Sequence, residues 1–352
     1  MKTKILDILI KAGGATVSGP EISLALNISR VAVWKQIKQL KDMGYPVASG
    51  PRGYLLDMDS DIPMPFYFKG REDMIHYFPV LGSTMDKARE LAREGAPHMT
   101  VVIAGEQESG RGRLCRKWFS SRGGLWFTLV VRPNLPPTMA WQVNFAASTA
   151  LASTIRREFH MDVRLKWPND LLFDDKKLAG LLSEMETYGD MISFVAIGIG
   201  LNVNNSPSRD EPNAVSMGDI LGEKVDRRIL LSAFLDGFES TLSGHGIPVP
   251  CRGVPGDGES CNRGSCVYSG IDYPGNEGST GPGLGHPSIV DSWKRMTGTI
   301  GRDVRIETYD ETFEGLAVDV DDSGALVIRQ EDGFIRKINH GDCFHRNGKG
   351  KL

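Results

Sequence analysis

The order of apolar patterns along the chain predicts an α+β protein in three folded parts. Three short helical periods open the chain, strand runs interleaved with one long alanine-rich helix fill the middle, and four short strand runs split by Asp/Gly turns close it. At 352 residues the chain exceeds one ordinary domain. The composition shifts divide it into residues 1–60, 66–243, 244–287 and 288–352.

In the first part Ile5, Leu6, Ile8 and Leu9 give one helical stripe that Gly13 and Gly14 stop. A second helix is expected over Gly19 to Leu26 and a third over about Arg30 to Met43, with Ser29 as its N-cap. The third would turn Val31, Trp34, Ile37 and Leu40 inward and leave Arg30, Lys35, Lys38 and Lys41 to solvent or phosphate. Tyr45 to Leu56 then alternates as a hairpin around Gly50-Pro51-Arg52-Gly53. Together these form the pattern of a winged helix-turn-helix. It serves either as a DNA-binding module, with Ser29, Arg30, Trp34, Lys35, Lys38 and Arg52 at the nucleic acid, or as a small helical cap.

In the middle part Ser83 and Thr84 precede a helix over Met85 to Arg93, and Asp86 is placed to complete a capping box. Val101 to Gln107 and Gly124 to Arg132 read as strands, and Met139 to Phe159 as a long helix whose apolar face is core. Val163 to Trp167, Leu171 to Phe173, Leu178 to Met185 and Ile192 to Asn202 supply four more strands, for one mixed sheet with flanking helices. A helix over Asp226 to Leu242 ends this part, and Ile289 to Met296 begins the last. Val304 to Thr308, Phe313 to Val320, Ala325 to Arg329 and Phe334 to Ile338 suit a small SH3-like barrel, which either grips a ligand or only stabilises its neighbour.

Net charge of −3 argues against bulk coating of nucleic acid, so any DNA contact must be a local patch. No apolar stretch approaches the ~20 residues a membrane span needs, and the Met1-Lys2-Thr3-Lys4 start lacks a signal-peptide core, so a cytoplasmic location without membrane association is expected. Five cysteines, an odd number, suit reduced thiols.

The chemistry concentrates in Gly110-Arg111-Gly112-Arg113-Leu114-Cys115-Arg116-Lys117-Trp118, where four cations and two glycines sit beside one tryptophan. Glycine lets backbone N–H groups approach phosphate, and each guanidinium offers a planar fork of donors to phosphate oxygens. Lys166-Trp167-Pro168-Asn169-Asp170 follows, then Lys176-Lys177-Leu178-Ala179-Gly180, so a lysine on each arm of an apparent hairpin would converge on one anion. Asn169 and Asp170 are equally good turn residues, and Ser83-Thr84 equally good caps. Gly198 and Gly200 mark close approach of a ligand to a strand. The chain has no P-loop, and Val203 stands where a dinucleotide fingerprint beginning at Gly198 would need its third glycine.

The arginine loop, the KWPND segment, KLAG and GIGLN in that order, together with Ser83-Thr84, Gln107 and the N-terminal module, resemble the biotin protein ligase family in its bifunctional ligase/repressor form. The resemblance implies a central domain like that of class II synthetases, and formation of biotinyl-5′-AMP from biotin and ATP with Mg²⁺. Biotin would then pass to a lysine of a biotin carboxyl carrier protein. It also implies a homodimer and operator DNA as partners. By the same resemblance Arg111, Arg113 and Lys177 are catalytic. Ser83, Thr84, Met85 and Gln107 lie on the biotin side, and Gly110, Gly112, Arg116 and Trp118 form the loop over the adenylate. Lys166, Asn169, Asp170, Gly180, Gly198, Gly200 and Asn202 complete the site, with Asp170 a possible companion of Mg²⁺ and no metal held by the protein alone. A lipoate-type ligase shares the adenylate logic, but the GRGR loop and the helix-turn-helix speak against it. A non-catalytic biotin-sensing repressor is the other alternative, and it would be expected to have lost Arg111, Arg113 or Lys177, all of which are intact. Two departures from the family pattern stand out. Cys115 replaces the usual glycine, and residues 244–287 form an insert with twelve Gly and six Pro that reads as disordered. Cys251, Cys261, Cys266, His245 and His286 within it lack any C-x-x-C pair, which favours a free segment over a metal site.

Overall fold

A computed structural model describes residues 1–250 and 288–346; the central and C-terminal parts of the 244–287 insert, with Cys251, Cys261, Cys266 and His286, lie outside the described residues. The N-terminal unit comprises α1 (Lys2–Lys11), α2 (Gly19–Leu26), α3 (Arg30–Asp42) and a hairpin of β1 (Val47–Gly50) and β2 (Gly53–Leu56). Ser18 and Glu21 close a full capping box on α2, and Asn27 ends it in the left-handed conformation. Ser29 caps α3 by accepting from the Ala32 amide. The core is Ile5, Leu9, Ile22, Val33, Ile37, Leu40, Val47 and Leu56. Here the expected face of α3 needs correction: Val31 and Trp34 are 63% and 54% exposed, and Val33 takes the inward place.

The central unit is a seven-stranded sheet. Its elements in chain order are β3 (Ile75–Phe78), α4 (Thr84–Arg93), β4 (Thr100–Ala104), β5 (Leu125–Val131), α5 (Trp141–Phe159), β6 (Arg164–Lys166), β7 (Asp170–Phe173), β8 (Lys176–Tyr188), β9 (Met191–Leu201), α6 (Met217–Leu221) and α7 (Arg227–Gly244). Strand order is β3-β4-β5-β9-β8-β7-β6, with β3 and β4 parallel and every other pair antiparallel. All seven residues of β5 are buried, as a strand covered on both faces requires. Helices α5 and α7 pack together on the face holding Phe127, Leu129 and Ile197, and α4 covers the other through Met85, Ala88, Ala92, Val102 and Phe194. A strand was expected to run up to Ser83, but β3 ends earlier, at Phe78, and α6 was not expected. The expected capping box at Ser83 is absent, because the Ser83 side chain makes no cap and Asp86 turns to another partner.

The chain re-enters at α8 (Ile289–Lys294) and forms a five-stranded antiparallel sheet. Its strands are β10 (Asp303–Glu307), β11 (Thr312–Val320), β12 (Leu326–Arg329), β13 (Ile335–Ile338) and β14 (Asp342–His345), in the order β13-β12-β11-β10-β14. Four of these were expected, and β14 was not. This unit is fastened to the KWPND segment. The Trp167 amide donates to Thr299 Oγ1 (3.1 Å), the Trp167 indole donates to the Gly324 carbonyl (3.1 Å), and Leu165 exchanges backbone bonds with Met296 and Gly298. Trp167 is 1% exposed, and the Trp167–Pro168 peptide is cis.

Candidate ligand and active site

A cavity of about 670 Å³ opens where the ends of β5, β9, β8 and β7 meet the arginine loop and β14. Of the sequence-predicted central-domain residues, only Gly110 does not line it. A Cβ at Gly110 would lie 2.6 Å from Ser120 Oγ and from the Trp118 carbonyl, so this glycine serves to let the two arms of the loop close.

One end of the cavity is a hydroxyl and amide network. Thr128 Oγ1 donates to Thr84 Oγ1 (2.9 Å). The Thr84 hydroxyl and amide both donate to Gln107 Oε1 (3.0 and 2.8 Å), and Gln107 Nε2 donates to Ser120 Oγ (2.8 Å). Gln107 lies beyond β4 and is held by bridges to Leu81 and Ser120. Met85, 3% exposed, closes the apolar side against Gly198, where an added Cβ would come within 2.9 Å of its methyl carbon. Such an end suits a small ring that carries polar edges and an apolar body.

The floor is glycine for a physical reason. A Cβ at Gly200 would stand 2.4 Å from Trp118 Nε1, and one at Gly180 would stand 3.1 Å from the same indole. The Trp118 ring therefore lies directly on bare backbone of β8 and β9, edge-on to Trp126, with Lys177 Nζ 5.0 Å from its centroid. Its indole N–H is buried and has no hydrogen-bond partner among the described residues, which is costly unless a ligand acceptor meets it. The loop itself is a tight hairpin: the Gly112 amide donates to the Arg116 carbonyl (2.8 Å) and the Trp118 amide to the Gly110 carbonyl (2.9 Å). Its tip places Leu114 (φ 51°) and Cys115 (φ 56°) in the left-handed region that favours glycine.

The cations gather at the other end. Lys177 and Lys166 both approach Asp170, at 2.8 and 3.9 Å, from β8 and β6 on either side of β7 rather than from the arms of one hairpin. Burial lowers the Arg113 pKa, against the opposing pull of Asp342 and Asp170. Arg116 pairs with Asp342 of β14 at 2.6 Å. Arg111 differs from expectation. Its guanidinium grips Asp86 with two bonds (2.8 and 2.5 Å) and stands 3.7 Å from Glu184, so it anchors the loop to the first turn of α4 instead of pointing at the cation cluster. The same bond holds the Asp86 carboxyl below its usual range and raises Arg111. Asn169 also turns to structure, its side-chain amide donating to the Leu181 carbonyl.

Three groups of lining residues were missed. Thr128 is the one polar side chain in the apolar run of β5, a signal that was present but unread. Residues 207–214 cross Lys177 through a backbone bridge at Ala214. Asp342, Cys343, Phe344 and His345 line the wall through β14, with Phe344 5.8 Å from Lys166 Nζ. Burial, Lys166 and Arg302 bring His345 down to about 4, and burial pushes the Cys343 thiol up to about 12, so both are neutral at pH 7. The DNA-side residues are separate from this cavity: Arg30, Trp34, Lys35, Lys38 and Arg52 are all exposed, with Lys38 Nζ 5.9 Å from the Trp34 ring, whereas Ser29 is engaged as the cap of α3.

Comparison with known proteins places these parts in a known arrangement. Residues 77–202 match the Biotin/lipoate A/B protein ligase family, residues 299–346 the Biotin protein ligase C terminal domain, and residues 2–55 an HTH domain. The bifunctional ligase/repressor BirA of Bacillus subtilis is 32% identical over 97% of this chain and 98% of its own, and that of Escherichia coli is 27% identical over 97% of each. The fold is similar to that of the biotin protein ligase from Aquifex aeolicus solved with biotin and ATP, with a TM-score of 0.56, 22% identity, and coverage of 78% of this chain and 99% of that one.

Proposed function

Since the chain belongs to the biotin protein ligase family, we propose that it joins biotin to ATP as biotinyl-5′-AMP and passes the acyl group to a lysine of a biotin carboxyl carrier protein. The observation that carries this reading is the convergence, over a glycine floor, of Arg113, Lys166 and Lys177 with an unpartnered buried indole N–H. The biotin ring belongs at the Thr84–Gln107–Thr128 end. Its carboxylate then extends toward Lys177, where it meets the α-phosphate of ATP. Attack of carboxylate oxygen on that phosphorus releases pyrophosphate, and two anions must approach while charge builds on the leaving group. Fixed cations are what this step needs, each worth about 3 to 4 kcal/mol in comparable sites. Lys177 and Arg113 supply them at the reacting groups and Lys166 at the departing phosphates. In the second step the acceptor amine attacks the acyl carbon and AMP leaves.

Magnesium fits this site only as a companion of ATP. Asp170 is already held by Lys166 and Lys177 and Asp342 by Arg116, so among the described residues these carboxylates offer Mg²⁺ no cage of their own. No step here is assigned to the ion. The match to the biotin-specific C-terminal domain supports biotin over lipoate. For the N-terminal unit we infer operator binding through Arg30, Trp34, Lys35, Lys38 and Arg52, by a homodimer that pairs two recognition helices. Pyrophosphate release from ATP by the purified chain tests the first step: it should require biotin, not accept lipoate in its place, and fall by about a hundredfold in Lys177→Ala. Release driven by lipoate, or unaffected by Lys177→Ala, would overturn the assignment.

A further inference from the structure

The linker between the N-terminal unit and the sheet carries a buried carboxylate that the chemistry above does not use. Asp61, 8% exposed, accepts from Arg227 Nε (2.6 Å) and Asn204 Nδ2 (3.1 Å), and pairs with Lys224 Nζ (3.0 Å). These partners lead to the cavity by two short routes. Arg227 Nη1 donates to the Gly124 carbonyl (3.0 Å), at the turn where the arm returning from the arginine loop enters β5. The Asn204 amide donates to the Gly123 carbonyl (2.9 Å) in the same turn. Asn204 also belongs to the turn after β9 that begins at the cavity residue Asn202, and the next residue, Asn205, donates from its side chain to Asn202 Oδ1 (3.0 Å). The two turns touch so closely that a Cβ at Gly123 (φ +101°) would lie 2.9 Å from the Asn204 carbonyl. The other end of the linker is fixed as well, with Arg228 Nη1 donating to the Met58 carbonyl (2.7 Å) and its guanidinium 4.4 Å from the Tyr67 ring.

We propose that Asp61 is a positioning residue for the nucleotide side of the site, holding the 123–124 and 202–205 turns in register and joining their state to that of the linker. The inference rests on the cavity being the biotin and ATP site. A ligand that orders the arginine loop and engages Asn202 must fix both turns, and Asp61 is the carboxylate that bonds to a side chain from one turn and to the arginine that grips the other. Coupling of this kind is reciprocal, so whatever fixes the linker also favours ligand binding at the arginine loop. Formal charges make the link stiff: the buried Asp61–Arg227 bond is charge-assisted and shielded from water, the Asn204 side-chain amide adds a third contact, and Lys224 joins from a solvent-exposed side chain that contributes less.

The test is hydrogen exchange on the full chain, with and without biotin plus ATP. In the unaltered protein, ligand should slow exchange in residues 110–124 and, at the same ligand concentration, in residues 57–64. In Asp61→Asn the 110–124 protection should persist while the ligand-induced change at 57–64 shrinks by about tenfold, and the KM for ATP should rise with little change in kcat. Asp61→Glu should restore part of the linker response. Protection at 110–124 with an unchanged linker in the unaltered protein overturns the inference and leaves the ligase reading intact, and this holds even where Asp61→Asn does not fold. Absence of ligand protection at 110–124 overturns the ligase reading, and the inference with it.

Discussion

Gly200→Ala isolates the seat of Trp118 from the stability of the fold. The substitution adds one methyl group 2.4 Å from Trp118 Nε1 and 2.5 to 2.8 Å from two ring carbons, about 1 Å inside ordinary contact. Gly200 itself lies in β9, paired with Trp126 and Gly180, and has no positive φ, so alanine suits its backbone. The strain therefore falls on the indole, which must lift off the floor. Lifting it costs the Lys177 contact at 5.0 Å, about 0.5 to 2 kcal/mol, and the edge contact with Trp126, about 0.5 to 1.5 kcal/mol. Their sum, about 1 to 3.5 kcal/mol, corresponds to roughly fivefold to three-hundredfold weaker retention of the adenylate. Gly180→Ala meets the same ring at 3.1 Å and should cost less than half as much. Calorimetric titration of both variants with biotin and ATP, beside thermal unfolding, measures the two quantities separately. Affinity falling in the order Gly180→Ala then Gly200→Ala, with Tm held within a few degrees, is the expected result. Equal losses in the two variants, or no loss in Gly200→Ala, would refute the argument that Trp118 seats the ligand from this position.

Other consequences can be checked independently. Cys115 at φ 56° bears a left-handed backbone worth about 1 kcal/mol of strain, so Cys115→Gly should tighten ligand binding by up to about fivefold and Cys115→Val weaken it, both read by titration calorimetry. Asp86→Asn releases Arg111 from a partly exposed pair; KM for biotin should rise a few-fold, near the ceiling for such pairs, with kcat nearly constant in a pyrophosphate assay. His345 is neutral in the fold down to about pH 4, whereas in the unfolded chain it titrates near its ordinary 6.5. The unfolded state then binds more protons between those values, so stability is full above about pH 6.5 and falls toward pH 4, by on the order of 2 kcal/mol, and His345→Gln should flatten that slope in denaturant melts. Trp34→Ala should weaken binding to DNA fragments selected by the unaltered chain while leaving Tm within a degree or two, because Trp34 is 54% exposed.

What could be read from the sequence is what depends on neighbours in the chain. The span of α2 and the start of α3 at Ser29 were legible because the bonds that set them are local: Ser18 and Glu21 box the start of α2, Asn27 ends it, and Ser29 caps α3. The cation and glycine clusters were legible for the same reason, since each segment carries its own spacing. The error at α3 is one of phase. Positions 31, 34, 37 and 40 step by 300° each, so the row drifts by half a turn from Val31 to Leu40, whereas Val33, Ile37 and Leu40 keep one face. Distant pairings were out of reach. That Asp86 would take Arg111 rather than cap its own helix depends on a loop 25 residues away. Nor did anything near Asp342 or His345 mark β14 as a wall of the cavity, because that role is set by how the C-terminal sheet docks on Trp167.

Transfer itself is the most direct test. The purified chain, ATP and a biotin carboxyl carrier domain are incubated with biotin or with lipoate, and the intact mass of the carrier is followed. The account predicts a gain of one biotinyl group with biotin, at a single lysine, and none with lipoate. A carrier modified by lipoate alone, or a chain that binds biotin and ATP yet releases no pyrophosphate, would contradict it.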